Sequence, residues 1–193
     1  MGQKILALDV GFVATGAAVF VQNGPTAWVP MEMLCVKPQD PGKEKKRGIY
    51  KAHLDAERVA LMVRGLEQVM ARHEIRHLVA ELPSGGAQGA RANRCMGAST
   101  AMIVTLAEAR RLSAEWFTPE QTRTAALGQP TKGKADKIKP LVIAAMANRF
   151  PGFKPERYLK GHQEHIADAL ATFEAARNGN LVRSLSTPYG ELA

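Results

Sequence analysis

Residues 4–20 read KILALDVGFVATGAAVF. The run Ile5, Leu6, Ala7, Leu8 and Val10 frames a single acid, Asp9. An unbroken apolar run of this length predicts a strand buried on both faces. A carboxylate at the end of such a strand costs free energy unless something pairs with it, and a metal ion is the commonest functional partner. Gly11 and Gly16 permit a reversal into a second strand over 17–21. The opening is therefore expected to be a hairpin that holds a carboxylate at the edge of a core. A plainer reading, an Asp that merely opens a turn, stays open on this stretch alone.

The rest of the chain repeats the theme. HLVAE at 77–81 is a second short apolar strand ending on an acid, Glu81, followed by the Pro- and Gly-containing run LPSGG. Between the two acids the pattern predicts a third strand over 26–36, with Pro30 marking an edge or irregularity, and a long helix over 50–73. Leu54, Val59, Met62, Val63, Leu66 and Met70 carry its apolar spacing. The loop over 37–48 contains Lys43, Lys45, Lys46 and Arg47, a charge run whose ordinary reading is a solvated surface. The loop after Glu81 carries Arg91 and Arg94 and leads into a helix over 95–112. That helix is rich in small and apolar residues, so it is expected to be central or to form a dimer interface.

A strand over 114–117 precedes Thr118-Pro119, an N-cap with Pro in the first turn of a short helix ending near Gly128. Lys132, Lys134 and Lys137 then lead into a helix over 140–150 and suit phosphate. In HQEHIADALA, residues 162–171, His165 and Asp168 are three apart and share one helical face, with Ile166, Ala169, Leu170 and Phe173 toward the core. A surface hydrogen bond is the plain reading of such a pair; beside strand-end acids it makes a metal cluster. Residues 1–178 are read as one domain and 179–193 as a loosely ordered tail.

The bulk properties bear on the partner rather than on the chemistry. The chain has 193 residues, enough for one sizeable core. Lys plus Arg number 26 against 18 for Asp plus Glu, a formal charge of +8 that favours a polyanionic partner, nucleic acid first. The two cysteines, Cys35 and Cys95, have neither metal-ligand nor disulfide-framework spacing. With no signal peptide before the first strand and no apolar run of membrane-spanning length, the expected location is the reducing cytoplasm.

Taken together, these motifs resemble the RuvC family of Holliday junction resolvases, of the RNase H-like superfamily, over about residues 5–176. ILALDVGFVATGAAVF resembles the family's first motif, HLVAE its second and MGASTAMIVTLAEA the helix that follows. TRTAALG with KADKIKPLV is similar to its Lys-bearing segment, and HIADALA to its closing motif. The resemblance implies an α/β, RNase H-like fold with a central mixed β-sheet flanked by helices. It implies Asp9, Glu81, His165 and Asp168 as the catalytic, metal-binding set, with two Mg²⁺ or Mn²⁺ ions per site. Arg123 and Lys137 fall where the family contacts DNA, and Arg91, Arg94, Lys132 and Lys134 extend that surface. The implied activity is paired symmetric nicking of four-way DNA in recombination and repair, by a homodimer. The chain departs from the family in having Arg at 123, a longer loop over 128–137, an insertion over 37–48, and no aromatic residue just after Glu81.

Two other functions fit parts of the pattern. Asp-x-Gly followed by Thr-Gly also occurs in the actin-like and sugar-kinase fold, where it meets ATP; a second phosphate loop is not found here. A catalytically silent branched-DNA-binding module would retain the basic surface but need not keep all four ligands, which this chain does.

Overall fold

In the computed structural model the described residues are 2–38, 48–83, 89–131 and 135–186. Five strands form one sheet in the order β3-β2-β1-β4-β5. The strands β1 (Lys4–Asp9), β2 (Thr15–Gln22) and β3 (Trp28–Val36) are antiparallel neighbours. β4 (His77–Glu81) and β5 (Ser113–Phe117) continue the sheet in parallel from β1, so the sheet is mixed, as expected. The helices are α1 (Gly48–His73), α2 (Ala90–Ala109), α3 (Pro119–Leu127), α4 (Ala135–Arg149), α5 (Lys160–Ala176) and α6 (Asn180–Ser186).

Strand periodicity sorts the core into two layers. Leu6, Leu8, Ala17, Val19, Leu78 and Ala80 face one side and pack on α1 and α2 through Met62, Leu66, Met70, Ile103 and Leu106. Ile5, Ala7, Ala18, Phe20 and Val79 face the other and pack on α3 to α6. There Phe20 stacks on Phe173 at 3.6 Å between ring centroids, with Phe150 edge-on at 5.6 Å. Because successive side chains alternate, Asp9 and Glu81 inherit the face of Ile5, Ala7 and Val79, which is the face that α5 covers.

Several local readings hold, with shifted ends. Pro30 sits in the edge strand β3, where the register with β2 slips between Val19 and Phe20. Thr118 makes a full capping box with Gln121, and Gly128 closes α3 in the left-handed region at φ 72°. α2 begins earlier than expected, at Ala90, and α4 begins at Ala135, so Pro140 lies inside it rather than at its start. Most of α2's large apolar residues, Met102, Ile103 and Leu106, are buried in the chain's own core.

The segment expected as a loose tail contains α6. The Glu115 carboxylate accepts from the backbone N–H groups of Asn180 and Leu181, both at 3.0 Å. Gln22 donates to the Leu185 carbonyl at 3.1 Å, Trp28 Nε1 donates to Ser186 Oγ at 3.2 Å, and Val182 is buried. The composition of this stretch is polar, but partners remote in sequence satisfy its helix start. Among the described residues no helix is long and apolar enough to cross a membrane.

Candidate active site

Asp9 and Glu81 are directly paired in the parallel β1–β4 register, side by side at the carboxyl ends of their strands. Parallel α/β sheets bind ligands at this edge. Asp9 is also opposite Gly16 across the hairpin. At Gly16 the backbone of α5 meets that of β2 directly: a Cβ there would lie 1.7 Å from the His165 carbonyl oxygen. The missing side chain lets the start of α5 press against the hairpin, and it brings His165 Nδ1 to 2.6 Å from Asp9 Oδ2. A carboxylate only accepts, so this contact puts the imidazole proton on Nδ1.

Asp168 follows one helical turn later and lines a narrow cleft with Glu81, Arg123, Ile138, Lys139 and Val142. Burial pushes the Asp168 carboxyl well above the usual range, and the charges of Asp9 and Glu81 push it further; Lys139 and Arg123 oppose them. The Glu81 carboxyl is pushed up to about 7 by burial first and by Asp9 second. Against that act the hydroxyl of Thr122, which hydrogen-bonds Glu81 Oε2, and the nearby Arg123. The Thr122 hydroxyl also lies 3.1 Å from the Pro119 carbonyl oxygen, which fixes it on the first turn of α3.

The four acid and imidazole side chains named from sequence thus meet at one sheet edge, and Arg123 stands beside them. Lys137 does not line the cleft. It is exposed on α4, and Lys139 occupies the cleft wall instead. Two residues along a helix turn a side chain through about 200°, so the two lysines serve different faces. Lys139 Nζ donates to Glu164 Oε2 at 2.6 Å, and this bond raises the lysine's pKa, with the charges of Asp168 and Asp9 adding to it. Sequence reading missed Lys139; the signal was its i, i+3 relation to Val142, a buried residue of the same cleft.

Arg91 and Arg94 lie on the α1–α2 side. Arg91 Nη2 donates to Asp55 Oδ1 at 3.1 Å, and Arg94 borders an apolar groove. Lys132 and Lys134 lie outside the described residues. Cys35, opposite Gly16 on β3, has its thiol pushed up to about 11, mainly by burial, which leaves it unreactive.

Among the described residues, no three His, Cys, Asp or Glu side chains stand as a ready-made metal cage. The donor chemistry nonetheless fits a divalent cation. Three acids and an imidazole crowd one partly buried edge, and the upward shifts of Glu81 and Asp168 come from burial first and from the neighbouring negative charge second, both of which a bound cation would offset. Carboxylate oxygens suit Mg²⁺, and the imidazole widens the choice toward Mn²⁺.

No family model and no curated protein sequence matches the chain. Solved structures do. RuvC of Thermus thermophilus superposes with a TM-score of 0.63 at 17% identity, over 91% of this chain and 96% of that one. The yeast mitochondrial Holliday junction resolvase Ydc2 gives 0.57 at 11% identity, over 95% and 82%. The fowlpox virus resolvase, solved with Holliday junction DNA, gives 0.53 at 10% identity, over 95% and 99%. The chain has the RNase H-like fold of the RuvC-type Holliday junction resolvases.

Proposed function

We propose that the chain is a metal-dependent endonuclease that resolves four-way DNA junctions by paired symmetric nicks. The observation that carries this reading is the Asp9–Glu81 register pair, which faces the helix that brings His165 and Asp168 to the same edge. Asp9, Glu81, Asp168 and His165 would hold two divalent ions. Such ions, when bound, lower the pKa of a water and stabilise the leaving oxygen of an in-line phosphodiester displacement.

The chain's own residues do the rest. Burial keeps Glu81 and Asp168 reluctant to ionise alone, so their charge develops where a cation is present. Thr122 fixes the Glu81 carboxyl by a hydrogen bond, and Gly16 sets the depth of α5. Lys139 and Arg123, on the cleft wall, steady the scissile phosphate and the charge that gathers on it. A four-way junction is two-fold symmetric, and paired cutting calls for two sites related by the same axis, hence a homodimer. The exposed face of α2 at Gly97, Ala101 and Thr105 is the candidate contact.

The test is cleavage of a labelled immobile junction beside linear duplex, with Mg²⁺, Mn²⁺ or EDTA, using wild type and Asp9→Asn. Symmetric nicks in the junction, absent in EDTA and in the variant, are expected. Equal cutting of duplex would remove the junction selectivity. Tight junction binding without cutting in either metal would replace the nuclease by a silent binding module.

A further inference from the structure

Three helices wall the cleft, and each contributes one charged side chain to it: Arg123 from α3, Lys139 from α4 and Asp168 from α5. Lys139 is bonded to Glu164 of α5. Farther along the same two helices, Arg149 Nη1 donates to Glu174 Oε2 at 3.0 Å. The steps from 139 to 149 and from 164 to 174 are equal, so α4 and α5 lie side by side in the same direction.

Arg149 ends α4, and its guanidinium also reaches the third helix. Nη1 donates to the Ala125 carbonyl at 3.1 Å, and Nη2 approaches the Ala126 carbonyl at 3.5 Å. Both carbonyls belong to the last turn of α3, where a helix leaves its C=O groups without intrahelical partners. The Gly128 N–H takes the Thr124 carbonyl, and Arg149 serves the two that follow. A planar guanidinium with five donors can hold two carbonyls and a carboxylate at once, and the compact ammonium of a lysine does not reproduce that fork. Glu174, its side chain only 10% exposed, also accepts from Arg177 Nε at 2.6 Å. The carboxylate is thus held from two sides, which fixes Arg149 in turn.

We propose that Arg149 is a positioning residue of the cleft: through the end of α3 it sets where Thr122 and Arg123 stand relative to α5. Those two residues precede the Ala125 and Ala126 carbonyls by about one helical turn. Thr122 hydrogen-bonds Glu81, and Arg123 lines the cleft. A shift of α3 therefore moves both the group that orients Glu81 and the cation beside the scissile phosphate, while His165 and Asp168 stay with α5. Arg149 acts from a distance: it lies about 15 Å along the axis of α4 from Lys139, and its partners Ala125, Ala126 and Glu174 lie outside the cleft lining. The inference rests on the reading of the chain as a metal-dependent nuclease.

The test is a double-mutant cycle of Arg149→Met with Thr122→Val. It is read as single-turnover cleavage of the junction well below Tm, and as the Mg²⁺ concentration that half-completes the rise in Tm. Groups that orient a metal ligand are worth about 10–100-fold in metal affinity or activity. Arg149→Met is expected to lose about tenfold in both readouts, but under about twofold when Thr122 is already valine. Junction binding in EDTA should be unchanged. Arg177→Gln removes the other partner of Glu174 and leaves the α3 contacts in place, so it should lower Tm with the rate and the Mg²⁺ midpoint unchanged. Arg149→Lys keeps a charge beside Glu174 without the fork; it covers a failure of the Met variant to fold, and should show the same coupling to Thr122 with a smaller loss. Losses additive with Thr122→Val, or a lower Tm with rate and Mg²⁺ midpoint unchanged, would overturn the inference while leaving the nuclease reading in place. A wild type that cuts no junction in either metal would remove both.

Discussion

Lys139 and Glu164 are joined, Nζ to Oε2 at 2.6 Å, and Lys139 lines the cleft together with Arg123. Both side chains are substantially exposed, so the pair adds little to stability. Its consequence is positional. Glu164 directly precedes His165 on α5, so the helix that carries the imidazole also holds the cleft's lysine in place. Lys139→Met is expected to lower the cleavage rate by about 10²-fold, the scale of losing one charge-stabilising donor, with junction affinity little changed. Lys137→Ala is expected to do the opposite: weaker binding of all DNA and a salt dependence reduced by about one phosphate contact. Single-turnover rates measured beside equilibrium binding separate the two.

The contact between His165 and Asp9 predicts a metal-dependent phenotype. Asp9→Asn removes the charge that both pairs with the imidazole and raises the pKa values of Glu81 and Asp168. Asn matches Asp in size and shape, so the variant should fold, yet lose at least about 10³-fold in cutting. His165→Asp exchanges an imidazole for a hard oxygen donor, so activity in Mg²⁺ should rise relative to activity in Mn²⁺. The ratio of rates in the two metals is the readout, and an unchanged ratio would place His165 outside the ligand set.

The raised acids make stability fall with rising pH in the absence of metal. The folded chain holds a proton on Glu81 up to about 7, whereas the unfolded chain releases it near the ordinary carboxylate value of about 4.3. Between those values the folded state binds more protons, so stability is greatest below the lower value and is lost as pH rises through the upper one. Asp168 shifts in the same direction. Thermal unfolding in EDTA should show Tm falling from pH 5 to pH 8, with the slope reduced in Glu81→Gln. Mg²⁺ should raise Tm, and by more at pH 8 than at pH 5, because the ligands must be deprotonated. Thr122→Val removes a hydrogen bond that favours the ionised form and should move the acid limb of the pH–rate profile upward.

Much of this site was legible because strands and helices have fixed periods. Apolar runs that end on Asp9 and Glu81 are visible without a structure, and so is the three-residue spacing of His165 and Asp168. The shared face of the two acids was not legible, since it depends on β1 and β4 being parallel neighbours in register, a relation between segments about seventy residues apart. Lys139 was obscured for a similar reason: α4 begins at Ala135, before Pro140, so the helical phase of its lysines could not be set from the expected start. α6 was hidden because its helix start is satisfied by Glu115, a residue whose own strand gives no sign of that role.

Gly16 gives the sharpest structural prediction. Its absent Cβ is what allows the His165 carbonyl to approach β2, and an alanine there would place a methyl 1.7 Å from that oxygen and 2.2 Å from its carbon. These neighbours are backbone atoms of His165, so no rotamer change relieves the overlap and α5 must move away from the sheet. Overpacking of this kind costs about 1–3 kcal/mol, which on a domain of this size lowers Tm by several degrees. The displacement also carries His165 and Asp168 away from Asp9 and Glu81. Gly16→Ala should therefore lose the Mg²⁺-induced rise in Tm as well as basal stability, whereas Gly152→Ala, whose added methyl meets only the end of Met33 at 3.8 Å, should keep both. Calorimetry of the two variants with and without Mg²⁺ distinguishes a site held by the α5–hairpin contact from one that is independent of it.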